Sequence, residues 1–197
     1  TGYGPNFIRT SNRRDFALPP PRPTLLNALR ERDYKTIGIG RIHDIFAGDG
    51  LMESISTRSN VDGLETLLSF VNRRFTGLCF VNLVDFDLVY GHRNDVDGYA
   101  AALSAFDRQL AEFIGSMRDD DLLIITSDHG CDPSTESTEH SREYVPVLIY
   151  GTGVRRGVNL GTRNSVADIA ATIQEALRLH NTTDGTSFWD EIREFSL

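Results

Sequence analysis

The sequence predicts an α/β protein with a mostly parallel β-sheet flanked by helices. Short, continuously apolar segments alternate with longer segments whose apolar residues recur at helical spacing, a pattern typical of strand–helix units. Apolar runs without polar interruption indicate strands that are covered on both faces, as in a parallel sheet. With 197 residues, of which 40% are hydrophobic, the chain is long enough to bury a good core in one domain with an appendage.

The first part of the chain mixes irregular backbone with three regular elements. Residues 1–23 are rich in Gly, Pro, Asn and Arg, which predicts irregular structure. After the proline-rich run PPPRP, Thr24 is a suitable N-cap for a helix over residues 24–33. TIGIG, residues 36–40, predicts a short strand that leads into a loop dense in Gly and Asp. Leucines at helical spacing then predict a second helix over residues 62–74.

The second part repeats strand, loop and helix. Continuous apolar runs predict strands over residues 77–86, 122–127 and 145–151. The amphipathic pattern is strongest in GYAAALSAFDRQLAEFIGSM, which predicts a helix over residues 98–117. A last helix is predicted over residues 166–177.

Two domains are expected, covering residues 1–75 and 76–197. The polar and proline-rich part gives way to regular α/β sequence near this boundary. The chain has no initiator methionine and begins in loop-like sequence, so we expect it to start inside a larger protein.

Composition excludes some classes of function. A net charge of −8 argues against a nucleic-acid-binding protein that works through a broad basic field. Two cysteines, Cys79 and Cys131, are too few for a disulfide framework, which favours a reducing, cytoplasmic compartment. No apolar stretch approaches the roughly 20 residues of a membrane span, and residues 1–16 carry no signal-peptide core.

Five side chains that can bind a divalent metal form a pattern next to predicted strands. They are Asp87, His92, Asp128, His129 and His140. Open α/β sheets collect their ligand sites at the ends of strands. Gly91 lies between the first Asp and His and would permit a sharp turn, and Gly130 follows the Asp-His pair.

Each part of this set also has an ordinary interpretation. Asp87 and His92 could be a surface carboxylate and a locally bonded imidazole, Asp128 could form an Asx-turn, and a lone loop histidine such as His140 is seldom a ligand. The combination favours metal binding, because two carboxylates and three imidazoles can divide between two ions roughly 3.5–4 Å apart, as phosphoryl-transfer sites do. Mixed Asp and His ligation suits Mn²⁺ or Zn²⁺.

These residues lie in segments that resemble a known family. SDHG, with D-x4-H upstream and a His downstream, is similar to the alkaline phosphatase superfamily of two-metal enzymes. VNLVDFDLVYGHRNDVDGYAAAL, SDHGCDP and EHSREYVPVLIY resemble the phosphopentomutase family more closely, as do NFIRTSNRRDFAL, IGIGRIHDIFAGDG and NVDGLE. The resemblance runs from about residue 6 to about residue 177.

The resemblance implies a fold and an activity. Residues 76–197 would be the C-terminal part of an incomplete alkaline phosphatase-like core, and residues 1–75 the C-terminal part of a smaller α/β cap domain. The family interconverts ribose 1-phosphate and ribose 5-phosphate, and the deoxy forms, through a phosphorylated threonine and two manganese ions. The implied partners are a pentose phosphate substrate and an N-terminal segment of the same protein, with no nucleic acid or membrane.

The resemblance also assigns metal ligands. Asp87, His92 and His140 would hold one metal, and Asp128 and His129 the other. A further aspartate and the nucleophilic threonine of the family have no match in this sequence, so no catalytic nucleophile is assigned within the chain.

The resemblance places basic residues of the cap against the substrate. Arg9, Arg13 and Arg41 are the candidates for binding its phosphate and sugar, because guanidinium groups bind phosphate in a bidentate manner. The family usually has Lys where Arg41 stands and His where Arg14 stands. Arg142 and Glu143 could support His140 from outside the ligand set. Cys131 stands where the family often has Asn and is expected to be a bystander.

Two alternatives to the mutase remain. One is a phosphatase or phosphodiesterase of the same superfamily, in which water completes the reaction. The other is a non-catalytic, truncated relative that binds metal or sugar phosphate. The cap-like segment NFIRTSNRRDFAL favours the mutase, because a mutase must keep its intermediate from water.

Overall fold

Two compact units make up the chain in the computed structural model, which describes residue 4 and residues 17–194. The first unit comprises Thr1–Leu67 and Thr76–Leu83, and the second comprises Leu68–Phe75 and Val84–Leu197. None of the helices within the described ranges is long and apolar enough to cross a membrane.

A three-stranded parallel sheet forms the centre of the first unit. The elements are α1 (Leu25–Arg30), β1 (Lys35–Ile39), α2 (Ile42–Ile45), β2 (Glu53–Ile55), α3 (Asn60–Phe70), whose last turn belongs to the second unit, and β3 (Gly77–Val81). The strand order is β2-β1-β3, with β1 in the middle. Ile37 pairs with Glu53 on one side and Cys79 on the other. Parallel strands between helices confirm the predicted α/β class.

The core of this unit lies between β1 and the two helices that contact it. Ile37 and Ile39 of β1 are fully buried, as are Leu26 and Leu29 of α1 and Ile42 of α2. Burial of each of these side chains contributes about 1.5–3 kcal/mol. Ile37 and Ile39 point to one face of β1 and Thr36, which is also fully buried, points to the other, so the middle strand is covered on both faces.

The first helix begins where the sequence predicts and ends earlier. The backbone N–H and the hydroxyl of Thr24 both donate to Asn27 Oδ1, at 2.7 and 2.9 Å. The helix ends at Arg30, three residues short of the prediction. Asp33 adopts a left-handed conformation with φ of 59°, which a helix interior does not accommodate.

The second unit carries the longest helix and a two-stranded ribbon. Its elements are a π-helical turn (Phe86–Tyr90), a 3-10 turn (Gly91–Arg93), α4 (Val96–Ser116), β4 (Leu123–Thr126), β5 (Val147–Tyr150), α5 (Ala167–Ala176) and α6 (Trp189–Ile192). The β4 and β5 strands are antiparallel, with Leu123 opposite Tyr150 and Thr126 opposite Val147. This pair departs from the predicted parallel arrangement, because an apolar run does not encode strand direction.

Two features of the structure bear on predicted boundaries. The strand predicted over residues 77–86 ends at Val81, where its pairing with β1 ends, and a π-helical turn follows. The predicted domain boundary near residue 75 separates β1 from β3, yet β3 pairs with β1 along its whole length. That boundary therefore falls within one sheet, while the assignment of the two parts to cap and core stays a prediction.

A buried carboxylate organises the end of the second unit. Asp168 Oδ2 accepts from Arg163 Nε and Oδ1 accepts from the N–H of Thr186, both at 2.9 Å. Arg163 also donates to Glu191 Oε1 at 3.1 Å. The hydrogen bond to Asp168 and the charge of that carboxylate raise the pKa of Arg163. This network ties the start of α5 to the segment before α6.

Candidate metal centre

Asp87 lies between two histidines in the second unit. Its Oδ2 is 3.2 Å from His92 Nε2, and its Oδ1 is 3.2 Å from His140 Nε2. Oδ1 is buried and has no hydrogen-bond partner among the described residues. A buried carboxylate oxygen without a donor carries an uncompensated desolvation cost, which a bound cation would offset.

The π-helical turn places Asp87 and His92 at one point. Asp87 stands in this turn, and His92 follows in the 3-10 turn. Such π turns are rare and frequently occur at functional sites. Gly91 has an ordinary helical φ of −60°, so its role is not the sharp turn that the sequence suggested. A Cβ at Gly91 would instead lie 2.4 Å from Cys131 Sγ, so the close approach of the thiol requires glycine here.

A single β-bridge brings two further histidines together. Gly130 and Ser141 exchange backbone hydrogen bonds, at 3.3 Å from the Gly130 N–H and 2.8 Å from the Ser141 N–H. Residues flanking an antiparallel pair point to the same face, so His129 and His140 lie side by side, with rings stacked at 3.6 Å. A Cβ at Gly130 would lie 2.5 Å from Ser141 Oγ, so the bridge itself requires this glycine.

Backbone carbonyls fix the protonation of two imidazoles. His92 Nδ1 is 2.6 Å from the carbonyl of Thr138, and His129 Nδ1 is 3.2 Å from the carbonyl of Gly130. A carbonyl only accepts, so in each ring Nδ1 carries the hydrogen. In a neutral ring of this tautomer Nε2 keeps its lone pair, and in both histidines Nε2 faces a carboxylate. A hydrogen bond from Nδ1 to a backbone carbonyl is the contact that a metal-binding histidine ordinarily makes with its other ring nitrogen.

The donor set fits a divalent metal. The ligand atoms of Asp87, His129 and His140 all lie within 4.8 Å of one another. Ligands about 2.0–2.2 Å from one ion are roughly 3.0–3.5 Å apart at tetrahedral or octahedral angles, which is close to the 3.2 Å from Asp87 to His92 and to His140. Asp128 lies at the edge, 69% exposed, with its Oδ1 3.6 Å from His129 Nε2.

All five predicted side chains are therefore neighbours. The resemblance assigns His140 and His129 to different ions, whereas their rings stack against each other and both approach Asp87. The carboxylate of Asp87 is the common neighbour of the histidines. The division of the five side chains between two ions stays a prediction.

Two side chains outside the predicted set also adjoin Asp87. Burial, followed by the charge of Asp87 and a hydrogen bond with it, raises the pKa of the Cys131 thiol. Burial, together with the charges of Cys131 and Asp87, raises the pKa of Tyr99. Tyr99 was missed because it reads as part of the apolar face of α4, and only its place one turn after the GHRND segment connects it with the site.

The predicted arginines are described only in part. Arg41 lies in the first unit at the start of α2, with a terminal nitrogen 3.7 Å from Asp44 Oδ2. Arg9, Arg13 and Arg14 lie outside the described residues. Arg142 and Glu143 are exposed, and the carbonyl contacts in the structure support His92 and His129 instead.

Comparison with known proteins identifies the class to which this site belongs. The sequence model of the metalloenzyme superfamily matches residues 9–181, and the chain belongs to this superfamily. Membership of a metalloenzyme superfamily agrees with the cluster of carboxylate and imidazole groups around Asp87, whose buried Oδ1 has no hydrogen-bond partner among the described residues.

Individual relatives are similar over nearly the whole chain. The phosphopentomutase of Lachnoclostridium phytofermentans is 53% identical over 190 residues, covering 96% of this chain and 49% of that protein. The phosphopentomutase of Carboxydothermus hydrogenoformans is 53% identical over 194 residues, covering 98% and 50%. That of Acetivibrio thermocellus is 50% identical over 191 residues, covering 97% and 49%. The resemblance seen in the motifs is confirmed, and the chain spans about half the length of these curated relatives.

Proposed function

We propose that this chain forms the metal-binding part of a phosphopentomutase, which interconverts (deoxy)ribose 1-phosphate and (deoxy)ribose 5-phosphate. The observation that carries the proposal is the carboxylate of Asp87, held 3.2 Å from two histidine Nε2 atoms within a chain about half identical to phosphopentomutases. The activity is that of the relatives, about half of whose length the chain spans; the further aspartate and the nucleophilic threonine of the family have no match in these 197 residues.

Two divalent metals are proposed as cofactors, with Mn²⁺ favoured over Zn²⁺. Asp87, His92 and His140 would hold one ion, and Asp128 and His129 would contribute to the other. Such ions supply positive charge that offsets the charge of a transferring phosphoryl group and lower the pKa of a nucleophile. Because Asp128 is exposed, its carboxylate could share an ion with a ligand residue supplied by another polypeptide segment.

The chain's own residues prepare this site before any ion binds. The carbonyls of Thr138 and Gly130 orient His92 and His129 with Nε2 towards carboxylates. The Gly130–Ser141 bridge fixes His140 beside His129. Ligands held in place in this way lose little conformational entropy on binding.

Substrate binding is proposed for Arg9, Arg13 and Arg41. A guanidinium can hold a phosphate through two parallel hydrogen bonds. In a mutase these side chains would retain the sugar phosphate while it reorients between the two half-reactions, so that water does not intercept the phosphorylated enzyme.

Reconstitution tests the proposal. The chain is mixed with the half of the Lachnoclostridium phytofermentans relative that it does not match, in the presence of Mn²⁺ and ribose 5-phosphate, and the products are followed by phosphorus NMR. Ribose 1-phosphate is the expected product. Inorganic phosphate alone would assign a hydrolase, and a folded, metal-loaded complex without turnover would assign a non-catalytic binding protein. The matched reference is the same mixture with Asp87→Asn in this chain.

A further inference from the structure

Asn94 occupies a special backbone position beside the metal centre. It ends the 3-10 turn that carries His92, and its φ of 52° is left-handed. Asn tolerates this conformation better than other residues with a side chain. Its N–H donates to the carbonyl of Gly91 at 3.1 Å. The turn therefore ends at a backbone conformation that Asn accepts more readily than most residues with a side chain.

The Asn94 side chain bonds to a distant loop. Its Nδ2 donates to the carbonyls of Thr135 and Ser137, the second at 3.4 Å. The opposite amide orientation would place Oδ1 against two carbonyl oxygens, so the assignment of the amide follows from its partners. His92 adds a third bond from the same turn, to the carbonyl of Thr138.

These bonds tie together the two segments that supply the ligands. The turn over residues 86–94 carries Asp87 and His92, and the loop over residues 132–138 leads directly to His140. The far end of the loop is fixed by the Gly130–Ser141 bridge. Among the described residues, the other side-chain hydrogen bond from this turn to the loop is that of His92, which is itself a proposed ligand.

We infer that Asn94 is a positioning residue that sets the distance between His140 and Asp87 and so tunes metal affinity without touching the ion. The inference rests on the proposed metal site. It assigns a role to a side chain that neither the ligand pattern nor the family resemblance singles out.

Two variants separate the side chain from the backbone. Asn94→Gly keeps the left-handed conformation and removes the amide. Asn94→Asp keeps the size and places an acceptor against two carbonyls. Loss of a direct partner of a ligand weakens metal binding about 10- to 100-fold. Asn94 acts one contact further from the ion, so we expect a change at the lower end, about 10-fold, in the Kd for Mn²⁺ in both variants, with the number of bound ions unchanged. Asn159→Gly is the control, because Asn159 Oδ1 accepts from Gly161 in an exposed loop outside the cluster.

The measurement is a titration of the 197-residue chain with Mn²⁺, followed by electron paramagnetic resonance, and with Co²⁺, followed by visible absorption. An altered Co²⁺ band at saturation, with an unchanged unfolding temperature in EDTA, is the expected result for Asn94→Gly. An unchanged Mn²⁺ Kd in both variants overturns the inference, as does weaker binding that merely follows a lower unfolding temperature in EDTA. Absence of binding by the wild-type chain would instead overturn the proposed metal site.

Discussion

Replacing Asp87 with asparagine should change the free energy of unfolding in opposite directions with and without metal. His92 Nδ1 donates to the carbonyl of Thr138, so the Nε2 of a neutral His92 ring is an acceptor that faces Asp87 Oδ2, another acceptor, at 3.2 Å. No hydrogen bond can form between them. The Asn amide can donate to one Nε2, and we expect the metal-free variant to be more stable by about 1 kcal/mol.

Bound metal should reverse the order of stability of the wild-type chain and the Asp87→Asn variant. At a concentration of about 100 times its Kd, a metal stabilises the wild-type chain by about 2.7 kcal/mol. If the variant binds about 100-fold more weakly, as loss of even an outer contact can cause, it gains only about 0.4 kcal/mol. The wild-type chain then becomes the more stable one by roughly 1.3 kcal/mol. The assay is urea unfolding at pH 8, in EDTA and in Mn²⁺.

The control variant is at Asp190, far from the cluster in sequence. Asp190→Asn removes an exposed pair with Arg193, which should cost less than about 1 kcal/mol and leave the response to Mn²⁺ unchanged. If Asp87 is instead an ordinary structural partner of charged histidines, its variant will be destabilised in EDTA and will respond to Mn²⁺ like the wild-type chain. That pattern would refute the metal assignment.

Three further predictions concern single side chains. His92→Ala and His140→Ala should each release one metal equivalent, measured by elemental analysis, and unchanged metal content would reject the ligand assignment. Asp168→Ala should lower the free energy of unfolding by about 2–4 kcal/mol, since it removes the buried acceptor of hydrogen bonds from Arg163 and from the N–H of Thr186; a loss below that of Asp190→Asn in the same urea assay would contradict this. Gly91→Ala should cost about 1–3 kcal/mol through overpacking, and adding Cys131→Ala should restore part of it in a double-mutant cycle, whereas additive losses would show that the thiol is not the obstacle.

Much of the fold follows from local sequence. The period of α4 predicts that helix because one of its faces carries apolar side chains, and the short run TIGIG predicts β1. The three-residue strand β2 was not predicted, because Glu53–Ile55 is too short to establish a period. The strand predicted over residues 77–86 is too long, because an apolar segment looks the same in sequence whether it pairs with a neighbouring strand or leads into a π-helical turn.

The sequence singles out five candidate ligands but not the distances between them. The five candidates follow from residue type and position, because the ends of α/β strands collect metal-binding groups. Their mutual distances depend on the Gly130–Ser141 bridge, which joins residues eleven apart and leaves no periodic signal. The contribution of Asn94 was also missed, although Asn is a residue that favours a left-handed turn.

The contacts of the loop over residues 132–138 have a consequence for mutational tolerance. Asn94 and His92 bond to the carbonyl oxygens of Thr135, Ser137 and Thr138, and every amino acid offers the same carbonyl. These bonds place no requirement on the three side chains. Thr135 Oγ1 and Ser137 Oγ nevertheless make loop bonds of their own, to the carbonyl of Asp132 at 2.9 Å and from the N–H of Glu139 at 3.1 Å. Thr138 is therefore the position where the surface beside the cluster can be changed, for example in its charge towards an incoming phosphate, at little cost to the geometry of the ligands themselves.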